Sequence, residues 1–426
     1  MADPLHLVLQ ELVKFVRANS PYYRELYKTL EPNVSDLQKL PVIQSEQFWE
    51  ANTVNNNRLL TGPIIDGGIY ASGGTTATPK ISYYTRDELR RLVQALTIGL
   101  VRSGIMPGDR IANLYNAGDL YMGFLLQILS LQEFSIPNVN LPITGNIAAQ
   151  AIVNHLKILK ATVIFTNTTT LLRVADHILQ AGSPNENIRL ILFAGESMYR
   201  DLQPLLKRAF PQAKVGPLMF CSVDAGMIAL PIKPLTEDAI DTDATYVVNS
   251  PSIILELLDD NDKPIVQSGH PGRVVITDLT RRLQPVIRYP MGDVGEWVDF
   301  NAQTFAVRGR DAVAVKVSTV ILELPLLRKV LAETLGDTVL TLFQTVIRRR
   351  ENRNQVIFRI ANGKEPPNPE LVEKEIHAKL AKLRPQYEYN VAQHNIFPIS
   401  CEWVGIKELQ FNVRTGKLKD IIDERY

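Results

Sequence analysis

Residues 88–210 constrain the fold more than any other stretch, because helical apolar spacing and short apolar runs alternate there. Residues 88–103, 119–130, 148–159, 170–180 and 199–210 read as helices, and 110–115, 135–140, 161–166 and 188–194 as strands. Two parallel strands need a crossover of about a dozen residues or more, which a helix supplies. The alternation therefore predicts βαβ units around a largely parallel sheet. Ahead of it, Leu5, Leu9, Leu12, Val13 and Val16 lie at helical spacing. From residue 245 to 297 the texture changes to β runs with turn signals, such as 253–258 and 273–277, which read as a separate β portion.

From about Gly309 an αβ pattern recurs on a smaller scale. Residues 322–335 read as a helix with Pro325 in its first turn, where a missing N–H costs nothing. Residues 341–347 and 355–360 read as a hairpin, with Arg348, Arg349 and Arg350 as a solvated turn between them. Pro366, Pro367 and Pro369 mark a loop before a helix over 370–383. The expected fold class is α/β. A large N-terminal domain (1–309, β-rich over about 245–300) precedes a small α+β C-terminal domain (310–426).

Composition excludes several functions. The 426 residues carry 46 Lys and Arg against 45 Asp and Glu, so no basic excess points to nucleic acid. Two cysteines, Cys221 and Cys401, allow neither a disulfide framework nor a four-thiolate zinc site, and suit a reducing compartment. The first ten residues hold no long apolar run, so no signal peptide is expected. The most apolar stretch, 121–131, is too short to span a bilayer and contains Gln127. A cytoplasmic protein without a membrane partner is expected.

One loop carries chemistry: Tyr70-Ala71-Ser72-Gly73-Gly74-Thr75-Thr76-Ala77-Thr78-Pro79-Lys80. Glycines let backbone N–H groups approach a phosphate, hydroxyls add donors, and a lysine adds a point charge. It is no Walker loop, since G-x-x-x-x-G-K-[ST] is absent; on its own it could equally be a surface loop. Neither a Gly-x-Ser-x-Gly elbow nor a His-Glu-x-x-His motif occurs, and His155 and His177 read as helix-face residues.

This loop resembles the phosphate-binding loop of the adenylate-forming superfamily, which includes acyl-CoA synthetases and adenylation domains. Three more segments match in order. Phe220-Cys221-Ser222-Val223-Asp224 resembles its aromatic-Gly-x-Thr-Glu element. Arg288-Tyr289-Pro290-Met291-Gly292-Asp293 resembles its Arg-Tyr-x-x-Gly-Asp element. Arg414-Thr415-Gly416-Lys417 resembles the segment with its catalytic lysine. Pro21-Tyr22-Tyr23-Arg24-Glu25-Leu26-Tyr27, Leu37-Gln38-Lys39-Leu40-Pro41 and Ala194-Gly195-Glu196-Ser197 are similar to segments of phenylacetate–CoA ligase-like enzymes, the closest subgroup.

The resemblance implies an AMP-forming acid–thiol ligase with ATP and Mg²⁺, an aryl acid as substrate and CoA as acyl acceptor. It also implies a C-terminal domain that rotates between two half-reactions. Homodimers are common among such enzymes. Lys417 would be catalytic, bridging the substrate carboxylate and the α-phosphate. Ser72, Gly73, Gly74, Thr75, Thr76 and Lys80 would hold phosphates. Gly195, Glu196 and Phe220 would line the adenine slot, with Ser197, Cys221 and Ser222 completing the ATP site. Asp293 would accept both ribose hydroxyls, Arg310 would reach ribose or phosphate, and Asp224 would hold the metal. Tyr115, Tyr121 and Phe124 could face the substrate ring and could equally be core.

The chain also departs from that pattern. Ala77 stands for Gly, Gly73 for Ser, Cys221 for Gly, Val223 for Thr and Asp224 for Glu. The hinge acid falls at Ala312, with Asp311 next to it, and a glycine beside the thiol tunnel falls at Thr319. These departures leave two alternatives open: a ligase that passes its acyl group to a carrier protein or an amine, and a nucleotide-binding protein without turnover.

Overall fold

The chain opens with α1 (Pro4–Asn19) and α2 (Pro21–Leu26). The expected apolar residues Leu9, Leu12, Val13 and Val16 are buried, and Leu5 packs beside them. Ser20 caps α2 by accepting from Tyr23 N, and Pro21 sits in the first turn, where no N–H is needed. After α3 (Ser45–Glu50), β1 (Gly68–Ala71) and β2 (Ile81–Tyr84) form an antiparallel pair. In this computed structural model the described residues are 4–71, 80–196, 198, 202–232, 245–310, 314–317, 320–336, 342–350, 353–361, 365–394, 396–411 and 416–424.

Thr85 starts α4 (Arg86–Val101) through a capping box with Glu88. The other Glu88 oxygen, Oε1, accepts from Arg282 N at 2.6 Å and Leu283 N at 3.0 Å, so one carboxylate both starts a helix and pins a distant loop. Then the predicted alternation runs: β3 (Asp109–Asn113), α5 (Met122–Glu133), β4 (Asn138–Leu141), α6 (Ala149–Ile158), β5 (Val163–Thr166), α7 (Thr168–Gln180), β6 (Leu190–Phe193), α8 (Gln203–Ala209) and β7 (Lys214–Pro217). The five strands pair in parallel in the order β4-β3-β5-β6-β7. Most bounds differ from expectation by a few residues, and two of the shifts have a visible cause. Asp119 and Leu120 have φ of +48° and +59°, left-handed values that a helix cannot contain, so α5 starts later. Likewise β4 starts only after Pro137, which has no N–H to pair.

The antiparallel part begins earlier than residue 245. It comprises β8 (Phe220–Ser222), β9 (Gly226–Pro231), β10 (Thr245–Val248), β11 (Ile253–Leu258), β12 (Pro271–Asp278), β13 (Val286–Asp299) and β14 (Thr304–Arg310). Their order is β11-β12-β13-β14-β10-β9-β8. The helices α1 to α3 pack on this sheet around Trp297 and Phe305. Bulges opposite both neighbours of β13 re-aim its central residues, as bulges do near functional sites.

Next come the pair β15 (Ala314–Val317) and β16 (Val320–Glu323), then α9 (Leu324–Leu335), β17 (Leu342–Arg350), β18 (Arg353–Ala361), α10 (Pro369–Leu383), α11 (Pro385–Ala392), β19 (Ser400–Val404) and β20 (Ile421–Asp423). The last four strands order as β19-β18-β17-β20. Phe343, Phe358, Ile360, Ile376 and Leu380 form their core with α9 and α10. Pro325 lies in the first turn of α9, as expected. Arg348, Arg349 and Arg350 are not a turn: all three belong to β17, and Arg348 pairs with Glu402 and Glu424 at 2.6 Å each, which holds the strand extended. Leu342, Ala361 and Leu409 instead join the cluster of α6 to α8 around Leu156, Leu172 and Leu206, so apolar packing ties the C-terminal part to the parallel sheet's layer.

Candidate active site

The order of the parallel sheet fixes where a ligand can bind. The chain leaves β3 toward β4, then crosses back to β5 on the other side, so the connections after β3 and β5 part. Open α/β sheets bind ligands at such a point, outside the carboxyl ends of the strands. Three loops meet there. After β3, Asn113 Oδ1 accepts from Tyr115 N at 3.2 Å and its Nδ2 donates to Phe124 O at 3.0 Å. This bonding turns Tyr115 and Asn116 inward, each 3% exposed. After β5, Asn167 caps α7 by accepting from Thr170 N at 2.7 Å. After β6 comes Gly195, with φ of +85°.

Glu196 follows it and turns its carboxylate onto the start of α7. Oε2 accepts from Thr169 N at 2.8 Å and Oε1 from Thr169 Oγ1 at 2.9 Å. A helix N-terminus favours an anion there. Burial raises this carboxyl's pKa, against the downward pull of Lys417 and of the Thr169 bonds. The Glu196 side chain is thus occupied by α7, and the backbone of Gly195 is what faces the crevice. Lys417 arrives from the C-terminal part, its Nζ donating to Gly195 O.

The strand β8 forms the next wall. Cys221 and Val223 pack with Tyr115 and Phe124 in one apolar cluster. Burial pushes the Cys221 thiol up to about 11, with Lys417 acting against it. Burial also raises Tyr121, and Cys221 and Glu196 add to the rise, so these groups are electrostatic neighbours. The Phe220 ring lies 5.8 Å from both Tyr246 and Phe305, in an aromatic cluster of the antiparallel sheet. Ser222 Oγ accepts from Ala225 N at 3.1 Å and lies 3.9 Å from Met291 Sδ on β13.

Asp224 sits just beyond. Its Oδ2 accepts from Tyr289 Oη at 3.1 Å, and its backbone carbonyl from the buried Arg281. Tyr289 Oη accepts from Trp49 Nε1 at 3.1 Å, and Lys80 Nζ lies over the Trp49 ring, 5.2 Å from its centre. Lys80 and Asp224 therefore share one polar chain through Trp49 and Tyr289. On β13, Asp293 stands in register with Arg310 of β14. The Arg310 side chain and Ser72, Gly73, Gly74, Thr75, Thr76 and Ser197 lie outside the described residues, as do Arg414, Thr415, Asp311, Ala312 and Thr319.

The geometry thus unites Tyr115, Tyr121, Gly195, Glu196, Cys221 and Lys417 at the crevice, with Lys80 and Asp224 on the adjoining chain. Sequence reasoning placed the pocket over residues 113–124, which contain Asn116, but singled out neither Trp49 nor Thr169, and neither lies in a motif. Arg288, the first residue of the Arg-Tyr-x-x-Gly-Asp element, pairs with buried Glu256. Among the described residues no group of three or more His, Cys, Asp or Glu could hold a metal. A single carboxylate suits Mg²⁺ only when phosphate oxygens and waters complete its shell.

No family model matches the chain. It is 22% identical over 289 residues to a phenylacetate–coenzyme A ligase of Aromatoleum evansii and 20% identical over 293 residues to one of Thermus thermophilus. The matches take in 66% and 67% of this chain and 63% of either relative, so the chain spans less than two thirds of the curated relatives' length. Among solved structures, 2-hydroxyisobutyryl-CoA ligase in a postadenylation state superposes with a TM-score of 0.74 at 16% identity, covering 99% of this chain and 89% of that one. The same ligase in its thioesterification state gives 0.63 at 19% identity with equal coverage. An acyl acid amido synthetase gives 0.70 at 15% identity, covering 94% and 86%. The chain has the fold of the adenylate-forming enzymes, and its sequence is similar to that of phenylacetate–CoA ligases. Among the described residues no helix is long and apolar enough to cross a membrane.

Proposed function

We propose that this chain is an AMP-forming ligase that activates a carboxylic acid with ATP and passes the acyl group to the thiol of CoA. One observation carries the reading: Lys417, from the C-terminal part, reaches the crevice at the point where β3 and β5 diverge and places its ammonium on the Gly195 carbonyl. Activation needs a positive charge where a carboxylate meets a phosphate, held by a part of the protein that can later withdraw. The better superposition on a postadenylation state than on a thioesterification state supports that arrangement.

In the first step a carboxylate oxygen attacks the α-phosphorus in line and pyrophosphate leaves; in the second a thiol attacks the acyl carbon and AMP leaves. Lys417 orients the carboxylate and offsets charge at the α-phosphate. Ser72, Gly73, Gly74, Thr75, Thr76 and Lys80 hold the outer phosphates. Asp224 is the carboxylate for Mg²⁺, which would offset phosphate charge. Gly195, Glu196, Ser197, Cys221 and Ser222 border the nucleotide, with Phe220 packed behind them. Asp293 takes the ribose hydroxyls and Arg310 reaches ribose or phosphate. Tyr115, Tyr121 and Phe124 flank the acid, and their rings suit an aryl group. The two parts divide near Gly309 and Arg310, and the reading extends to a cytoplasmic enzyme, as a homodimer.

Asp293→Ala should weaken ATP binding by about 1.5–3 kcal/mol, the range for hydrogen bonds to a charged group, or roughly 10- to 150-fold in Kd. Calorimetric titration of the folded variant checks it, and unchanged affinity would remove Asp293 from the site. Asp224→Asn should raise the Mg²⁺ concentration needed for half-maximal activity, because a hard cation prefers an ionised oxygen. A Mg²⁺ titration that overlays the parent's would move Asp224 away from the metal.

The similarity to an acyl acid amido synthetase favours one second reading, in which an amine replaces CoA, and a carrier protein is the other acceptor that the resemblance leaves open. AMP release that depends on the amine or carrier, and ignores CoA, would select it.

A further inference from the structure

We propose that the turn bearing Lys417 is set by Gln344 at its base and received by Asn116 and Thr169, which makes these three residues positioning residues for the adenylating step. The inference rests on the ligase reading. A lysine ammonium rides on a flexible four-carbon stem, so its position depends on how firmly the flanking backbone is held.

The base of the turn hangs on β17. Gln344 is fully buried at 0% exposure. Its Nε2 donates to Gln410 O at 2.6 Å and to Lys419 O at 2.9 Å, and its Oε1 accepts from Gln410 N at 3.0 Å. One amide therefore ties together both chain segments that flank Lys417. Lys419 N adds a bond to Gln410 O at 3.1 Å, and Phe411 pairs with Leu418. A leucine of similar size would keep the packing and lose all three side-chain bonds.

The tip meets three different loops of the large part. Gly416 has φ of +68°, and a Cβ there would lie 2.6 Å from both Asn116 Nδ2 and Asn116 Oδ1. A side chain at 416 would both strain this left-handed backbone and push the Asn116 amide aside. Lys417 takes Gly195 O. Leu418 N donates to Thr169 Oγ1 at 3.2 Å, and the same hydroxyl donates to Glu196 Oε1 at 2.9 Å. Residues 416, 417 and 418 thus each have a separate receiver, after β3, β6 and β5 in turn. Glu196 fixes the Thr169 hydroxyl so that its lone pair faces the incoming amide. A displacement of about 1 Å from such a fit costs up to about a hundredfold in rate.

The test compares Thr169→Val, Thr169→Ser and Gln344→Leu with the parent, all as full-length chains. The half-reactions are read separately, as single-turnover adenylate formation and as transfer from a pre-made acyl-adenylate. Amide hydrogen exchange at Leu418 is read without any acid. Thr169→Val should slow adenylation about 10- to 100-fold, leave transfer near the parent rate and speed exchange at Leu418; Thr169→Ser should restore both. Gln344→Leu should slow adenylation to a similar degree with ATP affinity kept. Equal loss in both half-reactions, or a Thr169→Val chain that matches the parent in adenylation and in exchange, would overturn the inference. A parent that activates no acid would sink the ligase reading, while the Leu418 exchange would still decide whether the turn is received as described.

Discussion

Lys417→Ala should slow adenylate formation by roughly 10²–10³-fold, the scale for losing one preorganised electrostatic group. The ammonium lies at the mouth of the parallel sheet on the Gly195 carbonyl, beside the carboxylate of Glu196 and the thiol of Cys221. Burial raises both of those groups, so the surroundings disfavour charge and strengthen what charge is present. ATP affinity should change much less, because the residues proposed to bind the nucleotide belong to the large part. Supplied with a pre-made acyl-adenylate, the variant should transfer at near the parent rate, since in the proposed mechanism the lysine withdraws with the C-terminal part before that step. Rapid-quench measurement of each half-reaction checks this. Equal slowing of both would mean that Lys417 only supports the structure.

Glu256→Ala should destabilise the fold by about 3–5 kcal/mol, the cost of leaving a buried charge without its partner. Arg288 Nε and Nη2 donate to Glu256 Oε2 and Oε1 at 3.0 Å each, and Nη1 donates to Leu40 O at 2.6 Å. Arg288 is 3% exposed and Glu256 9%. Burial raises the Glu256 carboxyl even against the pull of Arg288, so desolvation is large here. The pair consequently adds little net stability, while removing one member leaves the guanidinium with a single carbonyl. A double Arg288→Met, Glu256→Leu variant should lose less than Glu256→Ala alone. Urea unfolding of the three chains checks this, and a single-variant loss below about 1 kcal/mol would contradict it.

That pair also marks where the sequence stops being legible. The alternation of strands and helices over residues 88–210 was readable because each period dictates one element, and the parallel sheet follows it. Lys417, Gly195 and Cys221, each in a segment that the resemblance singled out, lie near one another, and Gly195 and Gly416 both have a positive φ, a local need that leaves a mark in sequence. Arg288 could not be distinguished from a ligand-facing arginine, since its partner lies 32 residues away on another strand. The packing of Phe220 could not be read either, because Tyr246 and Phe305, which flank its ring, lie on other strands. Gln344 and Thr169 carry no local signal, because their partners lie 66 and 249 residues on in the chain. The early start of the antiparallel sheet was hidden by the brevity of β8, whose three residues show no periodicity.

Acid-dependent exchange of labelled pyrophosphate into ATP tests the central claim most directly. It isolates the first half-reaction, needs no knowledge of the acyl acceptor, and runs with Mg²⁺ and a panel of aryl and alkyl acids. The account predicts exchange with at least one acid, strict dependence on Mg²⁺, and a roughly 10²–10³-fold loss in Lys417→Ala. Absence of exchange with every acid, in a folded chain that also fails to bind ATP, would contradict it.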